Sequence, residues 1–348
     1  MKYTTSQISK AGEIITTSSD PFAVAEAVKK VNDWREQHLP VIESLMREIQ
    51  SVFKSNSISI VFPSYRLKRM TSIQYKLDLN PEMKLGGMQD IAGGRFVFSD
   101  VNTLRSAYNL LLNTSIERYE IVKKDDYVDE KPKQSGYRSI HLVYKYHSQS
   151  NEDCDGMKVE IQLRTKLQHS WAMAVETAGL VTNTAMKSGQ GDDEWQEFFQ
   201  IISCLFTYKE KTLTIPAFCN ETEESLTKRL KALNDKNKFL DRLVALKVSA
   251  KLVENHQYIG YMFLLYIDFK TSLLRIRAFK KDDIEKANEI YNQIETGIND
   301  KDNAVVLVSV SKYKELKEAY PSYFLDMDDF NKHIRTYLAS GKKQPNKS

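Results

Sequence analysis

The residues best suited to chemistry are two acids that stand far apart in the sequence, Asp90 and Glu160, each close to basic side chains. Asp90 follows a glycine pair and precedes Arg95, and Glu160 precedes Arg164. Carboxylates are the hard oxygen ligands that Mg²⁺ prefers when it also binds a polyphosphate. Phosphoryl transfer requires charge neutralisation and in-line positioning rather than a protein nucleophile. The residues alone therefore predict a Mg²⁺-dependent phosphoryl or nucleotidyl transfer.

Two strands with one polar side each are predicted to place Glu160 among other functional groups. Apolar and polar residues alternate over 157–165 and again over 139–146, which is the period-2 pattern of half-buried strands. The polar side chains of interest in these two segments are His141, Glu160, Gln162 and Arg164. If the strands share a sheet, one face is core and the other presents an imidazole, a carboxylate, an amide and a cation together.

A basic segment and a glycine-rich segment precede these strands. Four basic residues lie within the eleven positions 66–76, which fits either a phosphate-binding segment or an ordinary solvated basic loop. Asp90 lies among the glycines of 86–94, and glycine allows the backbone to approach a ligand closely. Asp90 by itself fits a helix N-cap or turn better than a catalytic carboxylate.

Composition excludes several classes of protein. The chain has 348 residues with a net charge of +4, which permits contact with nucleotides or RNA without arguing for it. It has no GxxxxGK[ST], GxGxxG, HExxH or GxSxG motif. Its three cysteines show no CxxC spacing, and no apolar run approaches the roughly 18 residues of a membrane span. We expect a cytoplasmic enzyme without membrane contact.

Periodicity predicts a mixed α/β (α+β) chain of two parts. Helices are expected over 20–55, 102–113, 166–179, 192–210 and 221–246, and strands over 57–62, 95–98, 139–146 and 157–165. Residues 123–133 are expected to form a charged loop. After a composition shift near 240–247, strands are expected over 244–253, 258–269, 273–279 and 304–310, with helices over 281–295, 311–319 and 326–338. The tail after residue 340 is expected to be disordered.

Four motifs in order resemble the synthetase domain of the RelA/SpoT family. They are Arg66-x-Lys68-x-x-x-Ser72-Ile73-x-x-Lys76, Asp90-Ile-Ala-Gly-Gly-Arg95, Tyr127…Pro132-Lys133-x-x-Gly136-Tyr137-Arg138-Ser139-Ile140-His141 and Glu160-Ile-Gln162-Leu-Arg164-Thr165. The resemblance implies a nucleotidyltransferase-like mixed β-sheet flanked by helices. It also implies transfer of the β,γ-pyrophosphate of ATP to a ribose 3′-hydroxyl, with ATP as donor and Mg²⁺ as cofactor.

The resemblance also implies a role for each motif residue. It places the adenine between Arg66 and Arg95, the phosphates on Lys68, Ser72 and Lys76, and Mg²⁺ on Asp90 and Glu160. Glu160 would take the proton of the attacking hydroxyl, Lys133 and His141 would lie near the transferred phosphates, and Tyr137 would stack on the acceptor base. Gln162 and Arg164 would shape the same face.

The motifs leave the acceptor open. Ordinary members of the family use GDP or GTP and make (p)ppGpp, whereas a toxic subgroup modifies the 3′-terminal adenosine of tRNA and blocks translation. The segment 163–177 resembles the toxic subgroup. The resemblance then implies that a basic N-terminal helix with Lys29, Lys30 and Arg35 contacts the tRNA acceptor stem. Without the resemblance, a solvated basic face is the preferred explanation of these residues. A (p)ppGpp synthetase with a regulatory C-terminal domain is the alternative.

The C-terminal segment resembles the pseudo-zinc-finger antitoxin domain of fused toxin–antitoxin members of the CapRel type. The matching stretches are 304–310 and 318–324, which include Tyr320 and Tyr323. The resemblance implies that these tyrosines cover the nucleotide site and that a phage structural protein, such as capsid, binds the domain and releases the enzyme. Packed tyrosines at a helix-ending turn are the simpler explanation. The expected domains are 1–215 (pyrophosphokinase), 216–245 (linker helix), 246–340 (antitoxin or sensor, a small α/β domain) and 341–348 (tail).

Overall fold

The computed structural model describes residues 2–149, 154–182, 193–243, 251–252, 261–268, 273–297, 303–309 and 327–339. Its helices are α1 (Thr5–Thr17), α2 (Pro21–Glu36), α3 (His38–Ser55), α4 (Met70–Leu79), α5 (Val101–Leu112), α6 (Lys166–Thr182), α7 (Asp193–Glu210), α8 (Glu223–Asn237), α9 (Ile284–Gly297) and α10 (Asp328–Ala339). Its strands are β1 (Phe62–Leu67), β2 (Ala92–Phe98), β3 (Tyr119–Asp126), β4 (Ile140–Tyr146), β5 (Lys158–Thr165), β6 (Lys251–Leu252), β7 (Met262–Asp268), β8 (Leu273–Phe279) and β9 (Asn303–Ser309).

The strands form one mixed sheet in the order β3-β4-β5-β2-β1-β9-β7-β8-β6. The β2–β5 and β6–β8 pairs are parallel and the others are antiparallel. Helices pack on this sheet, so the predicted mixed sheet flanked by helices is confirmed. The sheet pairs β4 with β5, so the condition under which their polar side chains share one face is met.

The core on one face of the sheet depends on α3. Its apolar stripe, in which Ile42, Leu45 and Phe53 are fully buried, packs on β1, β2 and β5. Gly94 of β2 makes this close approach possible: a Cβ added there would lie 2.5 Å from Met46 Sδ of α3. The face opposite α3 carries the polar residues of β2 and β5.

A second apolar cluster joins α6, α7, α8 and α10. Phe198 and Phe199 of α7 are buried in it, and Phe330 of α10 lies 5.9 Å from the ring of Phe199. The last described helix therefore packs on helices that precede residue 240.

Two local predictions are wrong, and one helix has no prediction at all. That helix is α1, which begins at a capping box in which Thr4 and Gln7 exchange hydrogen bonds. The strand expected over 57–62 instead begins at Phe62 and continues through Pro63. A proline is tolerated there because β9 pairs with β1 only at Tyr65 and Arg66.

The second error concerns residues 123–133, whose first part is the edge strand β3 and not a loop. Lys123 and Lys124 are exposed on it, and a register shift between Ile121 and Lys123 interrupts its pairing with β4. Charged side chains and bulges are common on edge strands because they discourage pairing with other chains. A run of charges therefore fits an edge strand as well as it fits a loop.

The C-terminal strands continue the N-terminal sheet because β9 pairs with β1, at Tyr65 and Arg66 of β1. Of the segment 244–260, the structure describes only Lys251 and Leu252, so the division into domains stays a prediction. The helix expected over 311–319, Tyr320, Tyr323 and the tail lie outside the described residues.

Candidate active site

Asp90 and Glu160 line the same cleft, on the face of the sheet opposite α3. The cleft is open to solvent and is lined mostly by polar and charged side chains. Its lining residues are Ser64, Arg66, Lys68, Asp90, Gly93, Gly94, Arg95, Glu160 and Gln162. The two acids that stood apart in the sequence are thus brought together.

Strand register explains this convergence. Gly93 of β2 is paired with Glu160 of β5, and Arg95 with Gln162, while Arg66 of β1 is paired with Gly93. Paired residues point to the same face of a sheet. The nearest atom to a Cβ added at Gly93 would be the Glu160 carbonyl oxygen at 4.0 Å, so Gly93 leaves open space between Arg66 and Glu160.

Asp90 is held by two lysines. Its carboxylate accepts hydrogen bonds from Lys68 Nζ and Lys76 Nζ, each at 2.9 Å. Burial would raise the pKa of Asp90, but the two ammonium groups outweigh it and hold this pKa below its usual range. Ser72 lies on α4 one turn before Lys76, which places it on the same side of that helix.

Glu160 is held by a different kind of contact. Glu160 Oε2 lies 3.0 Å from His141 Nδ1, and Glu160 Oε1 accepts a hydrogen bond of 2.7 Å from Gln162 Nε2. Burial would raise the pKa of Glu160, but His141 outweighs it and lowers that pKa well below its usual range, against an opposing effect of the Asp90 charge. The Asp90 charge therefore acts on Glu160 across the cleft.

The chain of polar contacts continues from His141 to Tyr137 and Arg164. The Tyr137 hydroxyl lies 2.8 Å from His141 Nε2 and accepts a hydrogen bond from Arg164. Burial disfavours the imidazolium, but Tyr137 and Glu160 stabilise it and raise the pKa of His141. Burial would likewise raise the pKa of Tyr137, which the Arg164 guanidinium lowers. Arg164 also donates to Gln162 Oε1 at 2.8 Å, which closes the network.

Tyr137 is more enclosed than its expected role suggested. Only 8% of the residue is exposed, with Arg164 Cζ at 5.0 Å and Lys133 Nζ at 5.2 Å from the ring centroid. Gly136 precedes it at φ +89°, a conformation that favours glycine, and Ser203 of α7 donates to the Gly136 carbonyl at 2.6 Å. Stacking of an acceptor base on Tyr137 stays a prediction.

Tyr127 has no role predicted from the sequence, yet it belongs to this group. Lys133 Nζ lies 4.2 Å from the centroid of its ring, and the ring packs edge-on against Tyr137 and His141. Tyr127 follows directly after β3, which pairs with the strand that carries His141. Predicting β3 as a strand beside β4 would therefore have placed Tyr127 near His141.

The expected basic surface on α2 is only partly present. Lys29 is exposed and Lys30 is partly exposed, but the prediction for Arg35 is wrong because its side chain is 1% exposed and is paired with Glu295 at 3.0 Å. The helix turns Arg35 toward α9, and a buried guanidinium paired with a carboxylate cannot also contact a nucleic-acid backbone.

The donor set fits Mg²⁺ held together with a polyphosphate. Among the described residues no group of three or more His, Cys, Asp or Glu side chains could hold a metal ion, so these residues form no all-protein cage. Two carboxylates in one cleft are the usual protein contribution when phosphate oxygens and water complete the coordination of Mg²⁺.

A known family model matches the segment that contains Asp90 and Glu160. Residues 65–180 match the family model described as a region found in RelA / SpoT proteins. The match covers a third of the chain and includes all predicted nucleotide-site residues from Arg66 to Arg164. It does not reach Lys29, Lys30, Tyr320 or Tyr323.

Two curated relatives each match about a third of the chain. The chain is 33% identical to GTP pyrophosphokinase YjbM of Bacillus subtilis (strain 168) over 122 residues, covering 34% of this chain and 56% of that protein. It is 32% identical to GTP pyrophosphokinase YwaC of the same organism over 112 residues, covering 31% and 52%. The chain thus spans about half the length of these curated relatives.

Among solved structures, small alarmone synthetase 1 of Bacillus subtilis bound to pppGpp is similar over 53% of this chain and 94% of that chain, with 25% identity and a TM-score of 0.45. A GTP pyrophosphokinase family protein of Streptococcus pneumoniae is similar over 57% of this chain and 96% of that chain, with 20% identity and a TM-score of 0.44.

The described helices include none with the length and apolar character that a membrane span requires.

Proposed function

We propose that this protein is a cytoplasmic ATP-dependent pyrophosphokinase that transfers the β,γ-pyrophosphate of ATP to a ribose 3′-hydroxyl. The observation that carries the proposal is the placement of Asp90 and Glu160 in one cleft, with cations on either side. The acceptor oxygen forms a bond to the β-phosphorus of ATP, the bond from that phosphorus to the α-phosphate oxygen breaks, and AMP leaves. The family match over residues 65–180 supports the same reaction.

The donor half of the site is formed by Lys68, Lys76 and Asp90. The lysines that now neutralise Asp90 provide positive charge for the triphosphate, with Ser72 adding a hydroxyl from the same helix. Asp90 and Glu160 would hold Mg²⁺, which when bound reduces the negative charge of the transferred group. Arg66 and Arg95, whose planar guanidinium groups suit stacking, are the proposed contacts of the adenine.

The acceptor half is formed by Glu160 and its network. Glu160 stays ionised because of its lowered pKa, so it can accept a hydrogen bond from the incoming 3′-hydroxyl. Phosphoryl transfer proceeds through a loose transition state in which positioning contributes more than basicity. His141 and Gln162 fix the Glu160 carboxylate. Lys133 lies beside Tyr127 and Tyr137, where its ammonium group would contact phosphates of the bound nucleotides.

The experiment that tests this reaction uses purified protein, Mg²⁺ and ATP labelled in the γ-phosphate. We expect label in an acceptor together with one AMP per transfer. Release of labelled orthophosphate with ADP, and no labelled acceptor, would contradict the proposal.

For the acceptor, we propose the 3′-terminal adenosine of tRNA, which would block translation. The supports are the resemblance of 163–177 to the toxic subgroup and the basic Lys29 and Lys30 on α2. With Arg35 buried, the basic surface is smaller than predicted. A guanosine acceptor is the second candidate, because both curated relatives are named GTP pyrophosphokinases.

One competition assay distinguishes the acceptors. The protein receives labelled ATP with tRNA, GDP and GTP together, and products are separated by size. Label in tRNA that is lost when the 3′-terminal nucleotide is trimmed supports the first candidate, and label only in a guanosine nucleotide supports the second. A Lys29→Glu/Lys30→Glu variant should reduce transfer to tRNA and leave transfer to GDP unchanged.

We further propose that the C-terminal region restrains the enzyme and that a phage structural protein, such as capsid, relieves this restraint. The supports are the resemblance of 304–310 and 318–324 to the antitoxin domain and the pairing of β9 with β1, where Val308 lies opposite Arg66. A Tyr320→Ala/Tyr323→Ala variant should raise basal transfer. Unchanged transfer in a folded variant, or no stimulation by any purified phage structural protein, would count against the restraint.

A further inference from the structure

The start of helix α4, which carries the lysine contacts of Asp90, is capped by a distant part of the chain. Its N-cap residue, Arg69, makes no side-chain capping hydrogen bond. Instead, the Met70 N–H donates to Glu295 Oε1 of α9 at 2.7 Å. A carboxylate at a helix N-terminus both satisfies an unpaired N–H and interacts favourably with the helix dipole. The cap of α4 therefore comes from a residue 225 positions away in sequence.

The Glu295 carboxylate is fixed by two further groups. Its Oε1 accepts a hydrogen bond from the Tyr291 hydroxyl at 2.6 Å, and its Oε2 lies 3.0 Å from Arg35 Nη1. The Glu295 and Arg35 side chains are 4% and 1% exposed. Arg35 also donates to the Tyr291 hydroxyl at 3.2 Å. Helices α2, α9 and α4 thus meet at a single buried carboxylate.

Stability alone does not explain this choice of residues. A buried ion pair is often no more stabilising than apolar side chains of the same volume, because both ions must be desolvated. Such a pair does, however, fix relative positions well, since each hydrogen bond has a narrow geometry. The position it fixes here is the first turn of α4.

That turn controls the lysines of the cleft. Lys68 stands two residues before α4, where its N–H donates to the Ile91 carbonyl at 2.7 Å, and Lys76 lies on the second turn of the helix. Both lysines contact Asp90 at 2.9 Å. A displacement of the first turn would move both ammonium groups relative to Asp90.

We propose that Glu295 is a positioning residue for the ATP site: by capping α4 it holds Lys68 and Lys76 in place, so that ATP affinity depends on α9 being docked. The inference rests on the proposed function, because it takes these lysines as triphosphate contacts. It implies that the C-terminal part of the chain completes the donor site, in addition to any restraint that it exerts.

The test measures the dissociation constant of a non-hydrolysable ATP analogue with Mg²⁺, using the full chain. In the Arg35→Met/Glu295→Met variant both charges are removed together, which avoids a buried unpaired ion. We expect analogue binding about tenfold weaker, corresponding to loss of one charged cap. Arg35→Met/Glu295→Gln, which keeps an acceptor oxygen for the Met70 N–H and leaves no buried unpaired ion, should restore most of the affinity. A purely structural role would lower the folded fraction and leave the dissociation constant of the folded protein unchanged.

Asn292 provides a matched control on α9. Its Nδ2 donates to Glu36 Oε1 of α2 at 2.6 Å, so Asn292→Ala removes a different contact between α9 and α2 and keeps Glu295 at the start of α4. Analogue affinity should stay unchanged in this variant. A folded double-methionine variant that binds the analogue within a factor of two of the unmodified protein overturns the inference alone. If the unmodified protein does not bind the analogue, the proposed function fails and the inference fails with it.

Discussion

The two carboxylates of the cleft are held in contrasting ways. Asp90 is neutralised by lysines whose side chains are 21% and 33% exposed, on flexible stems that can exchange partners. Glu160 is neutralised by His141, and these two side chains are 15% and 13% exposed. Behind His141 stand the buried residues Tyr137 and Arg164.

This contrast indicates that the Asp90 side and the Glu160 side of the cleft have different roles. Lysine provides a compact charge on a flexible stem. Such a charge suits a site that must bind ATP and then release AMP. A connected hydrogen-bond network holds a carboxylate in one orientation, which suits alignment of a hydroxyl for in-line attack. The Asp90 side, which we propose binds the donor, thus allows exchange of ionic partners. The Glu160 side, which we propose binds the acceptor, has a fixed geometry.

The largest expected effect comes from neutralising either acid. Glu160→Gln and Asp90→Asn should each lower kcat by about a thousandfold, because each removes a proposed metal ligand together with its charge. Labelled transfer from ATP under saturating substrates measures the change. Glu120→Gln, an exposed acid on β3 with a side chain 62% exposed, should be neutral. A Glu160→Gln enzyme with more than a tenth of the normal rate would remove Glu160 from the mechanism.

The next largest effect separates the two sides through substrate affinity. Lys68→Met and Lys76→Met should each raise the KM for ATP about tenfold, since each removes one charge–phosphate contact, while the KM for the acceptor changes little. The effect should shrink at high salt because these partly exposed charges are screened. Lys84→Met, at an exposed lysine before β2, is the control. An effect on the acceptor KM alone would reverse the assignment of the two sides.

A smaller effect is expected from the Tyr137 hydroxyl. Tyr137→Phe removes the contacts to His141 and Arg164 and should lower kcat/KM for the acceptor about tenfold, with the KM for ATP unchanged. Tyr144→Phe is a matched control, because the buried Tyr144 hydroxyl has no hydrogen-bond partner in the described part of the chain. Equal losses in both variants would show a general packing defect instead of a role in the network.

The smallest effect is on stability at low pH. The folded-state pKa values of Asp90 and Glu160 are lowered, so the stability that each contributes is present above the unfolded-state pKa of about 4 and is lost as pH falls through the folded-state value. Below pH 4, the free energy of unfolding should therefore fall less steeply with decreasing pH in Asp90→Asn and in Glu160→Gln, by at most about 1.4 kcal/mol per pH unit for each variant. Urea unfolding between pH 6 and pH 3 in EDTA measures it. An unchanged acid limb in both variants would show that neither ion pair persists in solution.

Sequence reasoning succeeded where the signal was local. The alternation in 157–165 and 139–146 predicted which side chains share a face, and the register of β5 with β4 and β2 confirmed it. It failed at β3, because exposed charges are common to loops and edge strands. It also failed at Arg35, because helical periodicity does not reveal a partner on another helix.

The sequence by itself determined the chemical content of the site, namely two acids, their lysines and arginines, and the strand faces that carry them. These follow from residue type and a period of two, which are properties of short segments. Only the tertiary structure decided that Arg35 turns inward, that Tyr127 joins Tyr137, and that Glu295 caps α4. The physical reason is that each of these contacts joins elements distant in sequence: the Arg35–Glu295 pair alone spans 260 positions, and no local pattern encodes such a pairing.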